Sequence, residues 1–254
     1  MTIHILSAGS FRAALADLAA AWQGDPITSR CAPAGLLREA IENGESCDLY
    51  LSANAENVAK LARRLPLRGR ACIARNRLIL TCRDNARTRE RDALQLLLDD
   101  RLRLATSTPQ ADPGGDYAWQ VFERIDALHP GAGAKLKARA LQLVGGSEQS
   151  LAIPPGIPAA AFLINHDHAD ISLGYAHYAA QLANIAGLRV MPLPDNIAVT
   201  AYYIAASLSA RADALLRWLT TPPVQAIIQR HGFLPPDRQE QGDCLHTPFP
   251  LPCM

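Results

Sequence analysis

The chain has 254 residues, of which 49% are hydrophobic and 19% are charged, and its formal net charge is +1. This length suits two compact lobes better than a single core, with ample apolar material for both. The balanced charge excludes a general attraction to nucleic acid or acidic membranes, and no apolar run reaches the ~18–20 residues that a membrane-spanning helix needs.

The first element, residues 3–22, predicts a short strand, a turn of small residues and an amphipathic helix. Ser10 stands where the N-cap of this helix is expected, and the small residues at 7–9 leave the first helical N–H groups uncrowded. Those N–H groups form the positive end of the helix dipole. No lysine is nearby, so the turn is not a Walker-type phosphate loop. We therefore expect an anion site built from neutral donors.

Helices and strands alternate along the rest of the chain. Helices are predicted at residues 34–43, 55–64, 92–100, 116–128, 158–166, 175–186, 210–219 and 223–231. Strands are predicted at residues 48–51, 77–82, 103–106, 141–144, 170–173 and 199–206. Asn54 and Asp116 are the expected N-caps of two of these helices. The alternation is typical of an α/β fold with mostly parallel sheets, in which ligands bind beyond the carboxyl ends of the strands.

The cysteines do not indicate a metal or redox site. They occupy positions 31, 47, 72, 82, 244 and 253. The absence of a C-x-x-C spacing argues against zinc ribbons and thioredoxin-like motifs, and we expect small buried side chains instead. Disulfides between Cys72 and Cys82, or between Cys244 and Cys253, stay open for an oxidising compartment.

Other polar clusters predict neither a metal site nor an enzyme. Three histidines (His166, His168 and His177) with Asp167 and Asp170 are interpreted as solvated loop residues, because a His-x-His pair at a helix end does not place both rings on one face. The arginines between positions 83 and 103 alternate with acidic residues, which indicates a solvated surface rather than a nucleic-acid site. The sequence contains no G-x-S-x-G, H-E-x-x-H or Walker A motif, so no enzymatic activity is predicted.

Six short segments occur in the order and at the intervals of a known family. They are residues 8–14 (AGSFRAA), 44–54 (GESCDLYLSAN), 96–109 (ending RLATSTP), 113–118 (PGGDYA), 170–175 (DISLGY) and 222–233 (ending HGF). Together they resemble the molybdate-binding proteins of ABC importers over about residues 3–235. The resemblance implies an α/β type II periplasmic binding-protein fold, in which two lobes, each a mostly parallel sheet flanked by helices, are joined by two crossovers. The implied lobes are residues 1–82 with 193–254 and residues 83–192. Separately, the proline-rich and polar composition of the tail predicts an irregular C-terminal extension at residues 236–254.

The resemblance also implies an oxyanion pocket. Its contacts would be the hydroxyl and N–H of Ser10, the N–H of Ala34 or Gly35, the N–H groups of Gly114 and Ile157, and the phenol of Tyr175. The family usually offers a second serine before the second helix, but this chain reads RCAPAG at residues 30–35 and provides only backbone N–H groups there. None of these contacts is a carboxylate. Such a set suits a fully ionised dianion, because phosphate can carry a proton and usually needs an acceptor.

By this resemblance the protein captures molybdate or tungstate between its lobes and delivers it to an ABC permease in the inner membrane. It is expected to need no cofactor and no resident metal. We expect a monomer in the periplasm, with its signal peptide removed.

Alternative functions stay open at this point. One is a binding protein for sulfate, thiosulfate or a small organic acid, which the missing serine favours. Another is a cytoplasmic ligand-sensing module, which the absence of a signal sequence favours. An enzyme on the same fold would need a base beside Ser10 or Tyr175, and the sequence places none there.

Overall fold

The computed structural model of the protein describes residues 1–237, so the predicted C-terminal extension lies outside the described residues except for its first two positions. The chain forms two compact units. Of the described residues, unit 1 comprises 1–76 and 201–237, and unit 2 comprises 77–200. Within the described part of the chain, no helix is both long enough and apolar enough to cross a membrane.

The described residues form alternating strands and helices. The strands are β1 Ile3–Ala8, β2 Ile27–Ala32, β3 Leu49–Ser52, β4 Gly69–Arg83, β5 Leu104–Ser107, β6 Leu141–Val144, β7 Ile171–Tyr175, β8 Leu188–Pro192 and β9 Thr200–Ser207. The α-helices are α1 Arg12–Ala21, α2 Ala34–Glu42, α3 Ala55–Ala62, α4 Ala93–Leu97, α5 Pro113–Leu128, α6 Ala132–Arg139, α7 Ala159–Asn165, α8 Ala179–Ala183, α9 Asp213–Leu219 and α10 Pro222–Arg230. Short 3-10 helices cover Gly9–Phe11, Ala176–Tyr178 and Ala210–Ala212.

In unit 1, strand β1 lies between β2 and β3 and is parallel to both, and β9 follows antiparallel to β3. Residues of β9 alternate between two apolar layers. Ile204 belongs to a buried cluster with Leu37 of α2 and Leu61 of α3. Tyr203, one residue earlier, contacts the rings of Phe11 and Phe233 instead. Unit 1 therefore has an apolar core on each side of its sheet.

In unit 2, strand β5 lies between β6 and β7 and is parallel to both. The part of β4 in this unit pairs antiparallel with β7 and with β8. Helix α5 supplies the largest set of buried helical residues, among them Val121, Phe122 and Ile125. A second buried cluster joins Ala105 of β5 to Leu163 of α7. Because β5, β6 and β7 are parallel to one another, their carboxyl ends lie at one edge of the sheet.

The predicted α/β fold class is confirmed, but strand directions are mixed rather than mostly parallel. The long strand β4 and the returning strand β9 run antiparallel to their neighbours β7, β8 and β3. Three elements were not predicted from the sequence, namely β2, β8 and α6. Strand β2 has exposed or partly exposed residues at every position, so it lacks the apolar alternation by which a strand is recognised.

The described cysteines are free thiols. Cys31 and Cys47 are partly buried, and Cys72 and Cys82 are buried. The open possibility of a disulfide between Cys72 and Cys82 is therefore wrong. Both residues belong to the single extended strand β4, where ten residues span roughly 33 Å, and a disulfide needs Cα atoms closer than about 7 Å. The alternative pairing of Cys244 with Cys253 lies outside the described residues.

Candidate functional site

The turn that follows β1 holds Ser10. The structure corrects its predicted role as a helix N-cap: Ser10 lies inside the 3-10 helix Gly9–Phe11, and no side chain caps either this helix or α1. The extra 3-10 turn places Phe11 in the core with 0% exposure, while Ser10 stays partly exposed. The Ser10 hydroxyl instead lies 2.8 Å from the phenol oxygen of Tyr203.

Tyr203 is a residue of this site that sequence reasoning missed. It belongs to β9 and is 0% exposed. Its ring centroid lies 5.6 Å from that of Phe11 and 5.0 Å from that of Phe233, and the Phe11 and Phe233 centroids are 5.1 Å apart. The three rings hold the phenol beside Ser10. A tyrosine within a buried strand pattern gave no local signal of this contact.

The register of β1 and β2 brings a second group of donors to the same edge as Ser10. Ala8, at the end of β1, lies opposite Ala32, at the end of β2. Ser10 follows the first strand by two residues, and Ala34 and Gly35 open helix α2 just after the second. Pro33 precedes this helix without a side-chain cap, so its first N–H groups are not capped by a side chain.

A buried tyrosine fixes the start of helix α2. The Tyr50 hydroxyl donates to the Ala34 carbonyl oxygen at 2.7 Å, and burial raises the pKa of this phenol above its usual value. Tyr50 therefore remains a protonated donor, because its charged form would be poorly solvated in the core. The contact uses the carbonyl oxygen of Ala34 and does not involve its N–H.

In unit 2, helix α5 begins three residues earlier than predicted. Its N-cap is Asp112, which accepts from Gly114 N–H at 2.9 Å, and Pro113 occupies the first turn. The predicted cap, Asp116, is wrong: its carboxylate accepts from the N–H of Gln110 at 2.7 Å. The sequence did contain the correct signal, since an aspartate followed directly by proline is a favoured helix start.

Asp112 changes the chemistry expected at Gly114. Loss of hydration raises the pKa of the Asp112 carboxyl to about 6, and the negative charge of Asp116 acts in the same direction. Gly145, at φ +89°, packs against Asp112 so closely that an added Cβ would lie 2.6 Å from the Asp112 Cβ. A carboxylate therefore accepts from the N–H that the resemblance assigns to an anion.

The raised pKa of Asp112 predicts a pH dependence of stability that Asp112→Asn should remove. A carboxyl with a folded-state pKa of about 6, above the ordinary 3.8, stabilises the fold below pH about 4 and loses this contribution as the pH rises through about 6. Between these limits the wild type should lose about 2–3 kcal/mol of unfolding free energy relative to the variant. Urea unfolding at a series of pH values measures the difference.

Asparagine is the matched substitution because it also caps helices well. Carboxyls with a lowered pKa, such as Asp99, produce the opposite pH trend but are present in both proteins and cancel in the comparison. Parallel stability curves for the two proteins would contradict the prediction.

Ile157 and Tyr175 are the remaining predicted contacts. Ile157 is 44% exposed between β6 and α7, and its N–H donates to the Pro154 oxygen at 3.3 Å. Tyr175 ends β7 and is 9% exposed, with its ring centroid 6.0 Å from that of His177. Because β5 and β7 are adjacent and parallel, Tyr175 and the start of α5 follow strands that end at the same edge of unit 2.

Two of the three histidines interpreted as loop residues, His166 and His168, stack with the ring of Phe162. The His166 centroid lies 4.4 Å from that of Phe162 and 6.4 Å from that of His168, and both histidines are exposed. Among residues 1–237, no group of three or more His, Cys, Asp or Glu side chains is placed to hold a metal ion.

Comparison with known proteins identifies the family. Residues 3–234 match the family described as bacterial extracellular solute-binding protein. An uncharacterized protein of Pasteurella multocida is 38% identical over 205 residues, which cover 80% of this chain and 85% of that protein.

Two solved structures share the fold. The periplasmic molybdate-binding protein of Azotobacter vinelandii superposes with a TM-score of 0.72 at 22% identity, covering 92% of this chain and 100% of that one. A sulfate-binding protein of Mycobacterium tuberculosis superposes with a TM-score of 0.70 at 14% identity, covering 94% of this chain and 88% of that one. Since the family match spans nearly the whole described chain, the protein belongs to the family of bacterial extracellular solute-binding proteins.

Proposed function

We propose that the solute is a tetrahedral oxyanion, with molybdate and tungstate as the first candidates. The observation that carries this proposal is the edge of unit 1 where β1 and β2 end. There the Ser10 hydroxyl and the N-terminus of α2 offer neutral donors after two paired strands. The Arg12 guanidinium, which donates to the Cys31 carbonyl at 3.0 Å, adds a positive charge at this edge. Neutral donors, a helix dipole and a nearby cation together favour an anion.

We further propose the ligand set that the family resemblance implies. It consists of Ser10, Ala34, Gly35, Gly114, Ile157 and Tyr175. At Gly114 the anion must either replace the Asp112 carboxylate as the acceptor of the N–H or accept a hydrogen from the protonated carboxyl. A pKa of about 6 keeps both forms of Asp112 accessible near neutral pH.

A second candidate solute is an anion that itself carries a proton, such as hydrogen phosphate. The Asp112 carboxylate favours this candidate, because it can accept a hydrogen that sulfate and molybdate lack at neutral pH. The absence of a serine hydroxyl at residues 30–35 also leaves sulfate, thiosulfate and small organic acids as candidates.

The family gives the protein a small solute as ligand and an ABC permease as partner. We propose that it meets this permease at the inner membrane, as a monomer in the periplasm. The proposed site uses hydrogen bonds alone, so we propose that binding needs no cofactor and no covalent chemistry.

A thermal-shift panel tests the proposed solute. The full chain at pH 7.5 is heated with molybdate, tungstate, sulfate, phosphate and several carboxylates. A ligand at about 100 times its dissociation constant stabilises the folded state by ~2.7 kcal/mol, which raises the unfolding midpoint of a chain of this size by roughly 5–10 °C. We expect such a shift with molybdate and tungstate but not with sulfate.

Ser10→Ala should abolish most of the shift, and Ser29→Ala is the matched control, since Ser29 is exposed on β2. A shift with phosphate alone would favour the second candidate. If no oxyanion shifts the wild-type midpoint, the proposed function is overturned.

A further inference from the structure

We infer that Tyr203 is a positioning residue for oxyanion binding, which donates its phenol hydrogen to Ser10 and so directs the Ser10 hydroxyl hydrogen at the anion. The inference rests on the proposed function, because it assigns a role within the same site. It places a residue of β9 behind a member of the proposed ligand set.

The two hydroxyls can share their hydrogen bond in two ways. Their oxygens lie 2.8 Å apart, and either atom can be the donor. If Ser10 donates to Tyr203, its single hydrogen is used and cannot reach an anion. If Tyr203 donates, the Ser10 oxygen accepts and its own hydrogen is available. A fully ionised oxyanion only accepts hydrogen bonds, so its binding selects the second arrangement.

The surroundings of the two hydroxyls suit a relay, that is, a chain of hydrogen bonds from Tyr203 through Ser10 to the anion. Tyr203 is 0% exposed and held by the rings of Phe11 and Phe233, so its phenol oxygen has a fixed position. Ser10 is only partly buried, so part of its surface faces solvent. Tyr203, whose position is fixed, thus lies in the core, and Ser10, which is partly exposed, lies just after the end of β1. Hydrogen bonds linked in a chain polarise one another, which strengthens the bond from Ser10 to the anion.

Tyr50 shows what a purely structural phenol does in the same unit. Its hydroxyl donates to a backbone carbonyl, which can only accept and fixes the direction of the bond. Tyr203 bonds to a serine hydroxyl instead, which accepts and donates at once. This difference in partner is what a relay requires.

A double-mutant cycle tests the inference. Molybdate is titrated calorimetrically into the wild type, Tyr203→Phe, Ser10→Ala and the double variant. We expect Tyr203→Phe to weaken binding by up to about tenfold, the effect of losing one neutral hydrogen bond that orients and polarises the Ser10 hydroxyl. In the Ser10→Ala background the same change should weaken binding less than about twofold, because Tyr203 acts only through Ser10. Phenylalanine keeps the ring contacts with Phe11 and Phe233, so the packing of the core is retained.

Tyr202→Phe is the matched control, since Tyr202 is the neighbouring residue on β9 and packs against the opposite apolar cluster. It should leave the molybdate affinity within about twofold of the wild type. If the wild type binds molybdate and Tyr203→Phe binds equally well, or is weakened by the same factor with and without Ser10, the inference is overturned while the proposed function stands. If the wild type binds none of the oxyanions in the panel, the proposed function fails and the inference with it.

Discussion

Replacing Phe11 with alanine is expected to lower the free energy of unfolding by about 3–5 kcal/mol, the usual cost of truncating a buried phenylalanine. Phe11 is 0% exposed and contacts the rings of Tyr203 and Phe233. Alanine would remove both ring contacts and leave a cavity beside the Ser10 turn. The loss can be measured by urea unfolding of unit 1, with the fluorescence of Trp22 and Trp218 as the signal.

A Trp119→Phe background isolates that signal, because the chain has three tryptophans and Trp119 lies in unit 2. Leu36→Ala is the control: Leu36 belongs to α2 of the same unit and is 39% exposed, so its truncation should cost less than about 1 kcal/mol. A cost for Phe11→Ala no larger than that of the control would show that the three rings do not stabilise unit 1.

Gly115→Ala should destabilise unit 2 by about 2–3 kcal/mol, the upper range for overpacking a close-packed site. A Cβ at this position would lie 2.4 Å from Pro109 N and from Thr108 C, and 2.7 Å from Ser107 O. These are backbone atoms, so the loop before α5 would have to move. Helix propensity alone predicts the opposite sign, since alanine stabilises a helix by about 1 kcal/mol relative to glycine. The sign of the change therefore distinguishes the two effects.

Urea unfolding followed by Trp119 fluorescence measures this change in unit 2. Gly174→Ala is the matched control, because nothing lies within 4 Å of an added Cβ at Gly174, which belongs to β7. The control should change the stability by less than about 0.5 kcal/mol. If Gly115→Ala stabilised the protein, the loop at residues 107–109 would be able to move away from the added Cβ with no loss of unfolding free energy. Its close approach to Gly115 would then not hold the start of α5 in place.

The elements that the sequence predicted correctly are those with strong local signals. Asn54 caps α3 as expected, accepting from the N–H of Asn57 at 3.0 Å. Asp92 begins α4 with a complete capping box. The strand predicted at residues 77–82 is the second half of β4, a run that is buried at most positions. Caps and buried runs are properties of a few neighbouring residues, so they can be recognised without tertiary information.

The strands that the sequence missed depend on their neighbours. Strand β2 pairs with β1 over six residues, although its own side chains are mostly exposed. Its backbone hydrogen bonds, rather than its apolar pattern, keep it in the sheet. Strand β8 likewise forms by pairing with β4.

The sequence by itself determined the α/β fold class, most helix and strand positions and the turns after strands where a solute site is expected, because these follow from local periodicity and capping. Only the tertiary structure decided which groups meet in those turns. Ser10 bonds to Tyr203, 193 residues away, because β9 returns to the sheet beside β3. Asp112 accepts from Gly114 and has a raised pKa because the folded chain removes water from its carboxyl. Hydrogen-bond partners and hydration depend on packing between distant segments, and sequence spacing does not contain that information.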